Sequence, residues 1–141
     1  MITLELAARM SQAAVDRATV VGALVSAAVV DQGGHLVHFQ RMDAAEIAGP
    51  TLAVDKAFTA VAHRIETAEL AALTQPGGDL WGLPANGGGR YVVFGGGIPC
   101  WHDGVVVGAV GVSGGTAAED VECARAGVAV FESFLRERVA E

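Results

Sequence analysis

Three charged residues stand close together around the expected junction of a strand and a helix: Arg41, Asp43 and Lys56. Two cations of this kind can clamp a carboxylate, and an acid between them can orient a cation or move a proton. Lys56 is flanked by Ala57 and Phe58. Apolar neighbours strip water from an ammonium group and lower its pKa toward use as a base or nucleophile. On this reading Lys56 and Asp43 are the catalytic candidates and Arg41 binds the anion. A structural ion pair of Asp43 with Lys56 or Arg41, tying strand to helix, accounts for the same residues, and both readings stay open. Thr59 and His63 follow Lys56 at i+3 and i+7 on one helical face and join the ligand-binding candidates.

A second group is the bend Ser113-Gly114-Gly115-Thr116. The apolar, β-branched run 105–112 reads as a strand covered on both faces. The glycines permit a sharp turn, and Thr116 with Glu119 has capping-box spacing for the helix that follows. Successive free N–H groups at such a junction can receive a carboxylate or phosphate. A tight turn without a ligand is the plainer reading. Ser113 lacks the G-x-S-x-G elbow of a serine hydrolase, and the runs 87–89 and 95–97 lack the P-loop lysine. The four histidines, His35, His38, His63 and His102, show no metal-ligand spacing, so metal ligands stay unassigned. Any of them can bind a metal as a neutral imidazole. His63 is favoured for the face it shares with Lys56, and His102 is expected to face solvent before a turn.

The elements that must position these groups follow from periodicity and punctuation. Thr3 caps a helix to about residue 17, with apolar and small residues at helical spacing. Strands are expected at 24–31, 35–42, 90–94, 98–102 and 105–112. Gln32-Gly33-Gly34 and Asp103-Gly104 mark tight turns. Pro50 opens a helix whose Ala53, Ala57 and Ala60 form a small-residue stripe. Thr67 caps a short helix to Leu73. The Gly- and Pro-rich stretch 75–89 is a long loop, with Trp81 and Leu83 as anchors. A final helix carries Val121, Ala124, Val128, Phe131 and Leu135 on its apolar face. These pieces predict an α/β fold: a largely antiparallel sheet of about five strands, helices on its faces, the first and fifth strands central.

With 141 residues the chain is read as one domain, 1–141. Hydrophobic residues make up 52% of it, which points to a sheet buried on both sides and to a subunit interface. No stretch reaches the roughly 20 apolar residues of a membrane span. The formal net charge is −7 and the nine Lys and Arg are scattered, which argues against nucleic acid and anionic membrane as partners. Cys100 and Cys123 show no zinc or redox spacing, and residues near the start show no signal-peptide layout, so a reduced, cytoplasmic setting is expected.

Four segments carry a resemblance to the GlcG/HbpS family, which includes the C-terminal domain of PduO-type proteins. They are Val29 to Leu36, Phe39 to Ala44, Ala53 to Ala60, and Gly95 to Pro99 taken with Gly108 to Gly115. The resemblance covers nearly the whole chain in order. It implies a profilin-like α/β sandwich, homo-oligomers, and a ligand linked to haem in some members and to corrinoid or small-acid metabolism in others. It supplies no axial ligand for a position here. Residues 64–67 read Arg-Ile-Glu-Thr where a proline before the Thr is common in the family. Three functional readings therefore stand together. One is a binding protein for haem or a related planar anionic cofactor, with Ser113 to Thr116 taking a propionate. Another is a cofactor-independent enzyme on a small carboxylate, using Arg41, Asp43 and Lys56, with the bend amides stabilising negative charge. The last is a structural or regulatory subunit without a ligand.

Overall fold

Two strands are apolar at nearly every position, and they form the centre of the sheet. In the computed structural model, which describes residues 1–140, β1 (Ser26–Asp31) and β4 (Val105–Ser113) pair antiparallel, Ser26 opposite Ser113. β2 (Leu36–Arg41) flanks β1, and β3 (Gly97–His102) flanks β4, giving the antiparallel order β2-β1-β4-β3. The Asp103-Gly104 turn joins β3 to β4 with both residues at positive φ, 49° and 76°, the geometry of a type I′ hairpin. The ladder slips between Cys100 and Trp101, so Val107 is an extra residue on β4. Such a bulge re-aims a side chain near a sheet end.

Helices cover both faces. α1 (Leu4–Val21) and α4 (Ala117–Ala140) pack on one face and on each other, and α2 (Gly49–His63) crosses the other. α1 is capped by Thr3, whose hydroxyl accepts from Leu6 N–H at 3.1 Å, and it ends on Gly22 in the left-handed conformation. It buries Leu6, Ala7, Met10, Ser11, Ala14 and Ala18, the stripe a 3.6 period sets against a sheet. Ala27, Val29, Val110 and Val112 meet that stripe and the apolar face of α4. On the other face α2 lies so close to β4 that a Cβ on Gly111 would collide with the Ala53 carbonyl. The alanine stripe of α2 and Gly111 are what allow this approach. α3 (Thr67–Leu73) follows after Arg64, itself left-handed at φ 55°.

Among the described residues the sheet therefore has four strands, not five. Residues 90–94 are no strand, because their backbone is held by a side chain. Thr59 Oγ1 accepts from Val92 N–H at 3.0 Å and lies 3.2 Å from the Arg90 carbonyl. The loop before it carries two 3₁₀ turns, Leu83–Ala85 and Gly87–Gly89. Trp81 is no anchor there: it is 68% exposed. Thr67 does not cap α3 but is its first residue, and its hydroxyl instead accepts from Gly97 N–H at 2.9 Å. No helix among the described residues is long and apolar enough to cross a membrane.

Candidate functional site

Lys56 does reach the glycine bend, but through a residue the sequence reading passed over. Its Nζ lies 3.0 Å from Asp120 Oδ2 and donates to the Val112 carbonyl at 2.9 Å. Asp120 in turn accepts from Gly115 N–H at 2.9 Å. Burial pushes the Lys56 pKa down and the Asp120 pKa up, against the attraction between them. The ring of Phe94 sits 5.0 Å from the ammonium. Gly96, at φ 132°, packs against the lysine, where a Cβ would stand 2.8 Å from Nζ. Gly96 is thus a seat for the Lys56 side chain, while Gly97 lies against the Lys56 backbone carbonyl and Gly95 against Val121 of α4.

This arrangement corrects the expected pocket. Lys56 is 1% exposed, so no solvent-borne substrate meets it in this conformation. The bend amides are also taken: Thr116 N–H donates to Glu119 Oε1 at 2.9 Å, and Glu119 N–H donates to Thr116 Oγ1 at 3.2 Å, completing the capping box. With Asp120 on Gly115, the chain's own carboxylates occupy the anion-binding positions of Gly115 and Thr116. Ser113 is buried, and Gly114 fits against the Leu24 carbonyl at φ 144°.

Arg41 and Asp43 lie apart from this cluster. Arg41 ends the edge strand β2, opposite Ser26, and both Arg41 and Asp43 are exposed. Neither enters an ion pair among the described residues, so the Asp43 pairing with Lys56 or Arg41 does not form. Thr59 and His63 turn to the 90–92 segment. His63 Nδ1 lies 3.2 Å from the Thr59 carbonyl, and its ring meets Tyr91 edge-on at 4.4 Å. Arg90 stacks over Phe58 at 3.7 Å and pairs with Asp55 at 3.1 Å. Lys56, Thr59 and His63 thus share a helix but not a site.

The more enclosed hollow lies elsewhere, at the far end of α4. A cavity of about 320 Å³ is walled by Val107, Phe131, Phe134 and Leu135, with His102 and Arg138 at its polar side. A neighbouring hollow of about 380 Å³ shares His102, Leu135 and Val139 and adds Trp101 and Arg136. Both volumes fall within the roughly 300–1,000 Å³ of small-molecule sites, the second being a shallow, open hollow. The Val107 bulge and the hairpin turn bring the end of the sheet to this helix end. His102 is here a wall residue as well as a half-exposed one, a placement the sequence reading missed. The available signal was the 131, 134, 135, 138 spacing, which puts two aromatics, a leucine and an arginine on one face of α4. Among the described residues no cluster of three or more His, Cys, Asp or Glu is placed to hold a metal ion by itself.

Comparison with known proteins places the chain in a family. The family model described as haem degrading protein HbpS-like matches residues 2–129. An uncharacterised 15.0 kDa protein of Citrobacter freundii is 43% identical over 119 residues, 84% of each chain. The corrinoid adenosyltransferase PduO of Salmonella typhimurium is 38% identical over 123 residues, which are 87% of this chain but only 37% of that protein. Among solved structures, Klebsiella pneumoniae ORFY superposes with a TM-score of 0.90 at 37% identity, covering 93% of this chain and 90% of that one. A complex of PduOC with haem superposes with a TM-score of 0.86 at 36% identity, covering 89% and 91%.

Proposed function

The chain belongs to the HbpS-like family, and from that premise we propose that it is a small-ligand-binding protein whose ligand is haem or a related planar anionic cofactor. The observation that carries the reading is the haem complex of a 36% identical relative with the same fold over nine-tenths of both chains. The residues present fit such a group at the α4 end. Phe134, Leu135 and Val107 offer apolar surface to a porphyrin face, Arg138 and Arg136 offer charge to its carboxylates, and His102 offers an imidazole. Bound haem supplies a redox-active iron, and the protein's part is to bind it, orient it and limit its exposure to water.

Self-association is part of the proposal. Ile47 is 92% exposed, and Val20, Leu24, Trp81 and Phe94 also leave apolar surface open, a pattern that partner subunits cover. The lack of a substrate path to Lys56 favours the binding reading over proton-transfer chemistry at that residue. Hemin titration of the purified protein at neutral pH, followed in the Soret band, is the test. A saturable shift is expected, with light scattering on the same sample showing a species larger than one chain. A linear response without saturation contradicts the proposal.

A further inference from the structure

We propose that the N-terminus of α2 is a binding site of its own, and that it takes a small oxyanion, a carboxylate or a phosphate. The site is separate from the hollows at the hairpin end and does not rest on the haem reading. Its floor is one cross-strand row: Ser26 stands directly opposite Arg41 on β2 and opposite Ser113 on β4. Directly opposed residues of an antiparallel sheet share a face. Ala27 and Val29 of β1 belong to the core against α1 and α4, while Val30 packs with Ala57 and Ala60 of α2. By alternation Ser26 and its two partners stand on the α2 face. A guanidinium and two hydroxyl side chains are thus set side by side under one helix end.

Ser26 carries the argument. It is fully buried, and its Oγ is the one buried side-chain N or O atom among the described residues without a hydrogen-bond partner. An unmet hydroxyl costs free energy, and native structures rarely keep one that nothing completes. This one faces the start of α2: a Cβ built on Gly49, the first helical residue, would stand 3.0 Å from Ser26 Oγ and 3.5 Å from the Ser113 carbonyl oxygen. The helix end lacks an anion of its own. No side chain caps it, and its first turn holds no acid. Gly49 N–H is taken by the Glu46 carbonyl and Leu52 N–H by the Ala48 carbonyl, and Pro50 has no N–H. Thr51 N–H is left without a backbone acceptor among the described residues. Such an amide and the helix dipole together attract negative charge. Arg41 supplies the countercharge. It is exposed and makes no ion pair among the described residues, even with Asp43 and Glu46 on the loop that follows. An incoming anion meets Arg41 and the helix end first, and reaches the Ser26 hydroxyl as Gly49 eases away from it.

The test titrates acetate and inorganic phosphate, each at constant ionic strength against a chloride baseline, into the wild-type protein, Ser26→Ala and Arg41→Gln. Heat of binding and thermal midpoint are recorded. Saturable binding of at least one of the two anions is expected for the wild type, and binding weaker by about tenfold or more for each variant. The anion-free midpoint of Ser26→Ala is expected to equal or exceed that of the wild type, because an unmet hydroxyl has been removed. That of Arg41→Gln is expected to be unchanged, since its side chain is exposed and unpaired. Stable variants that lose the anion establish a ligand site. Absence of saturable binding of both anions by the wild type overturns the proposal. Undiminished binding by either variant overturns it too, as does a Ser26→Ala midpoint below that of the wild type, which would mean that the hydroxyl is already satisfied within the fold.

Discussion

Burying an ammonium group is costly, and Lys56 meets that cost with three oriented partners: the Asp120 carboxylate, the Val112 carbonyl and the face of Phe94. Removing one member of such a pair strands the other charge out of water. Lys56→Met is therefore expected to cost about 3–5 kcal/mol, read as a lowered urea midpoint. The double variant Lys56→Met/Asp120→Asn is expected to recover part of that loss, since no unpaired charge is then left in the core. A single variant as stable as the wild type contradicts the clamp. The sequence made Lys56 stand out by its apolar neighbours, and that burial is real. Its partner was invisible, because nothing in one sequence couples residues 56 and 120, and an acid in the first turn of a helix ordinarily faces water.

At the scale of elements, periodicity and turn chemistry identified all four helices, both hairpin turns and the two central strands. The error over 90–94 has a definite cause. Tyr91-Val92-Val93-Phe94 has strand-like composition, but β-propensity reports fit to a pleated surface, and here no strand offers one. The segment instead crosses beside α2, held by the Thr59 hydroxyl and by Arg90 on Phe58 and Asp55. Thr59→Val keeps the shape of the side chain and leaves Val92 N–H without its acceptor. A loss of about 1–3 kcal/mol is expected. Amide exchange should quicken selectively from Arg90 to Phe94, with the β1–β4 amides unaffected. Uniform quickening across the sheet contradicts the idea that Thr59 acts locally.

Taken whole, the molecule is a sheet between two helix layers with two chemically distinct ends. One end holds the Lys56–Asp120 clamp and the closed glycine bend. The other holds the hairpin, His102 and the last turns of α4. From Asp120 to Leu135 the helix rises about 22 Å. Sequence reading merged cation and bend into one pocket because both lie in the segments that carry the family likeness. Those segments are also where α2, β4 and the 95–97 glycines must approach closely, and that packing requirement explains much of their composition. The hollow at the other end is assembled from a hairpin, a bulge and a helix end, and only the fold brings them together.

The separation of the two ends allows a decisive measurement. Crystals of the haem-loaded protein, measured at the iron absorption edge, locate the metal without assumptions about the porphyrin. One anomalous peak per chain is expected, between the hairpin and the last turns of α4. A peak at the clamp end, beside Arg41 or the Ser113 bend, would contradict it.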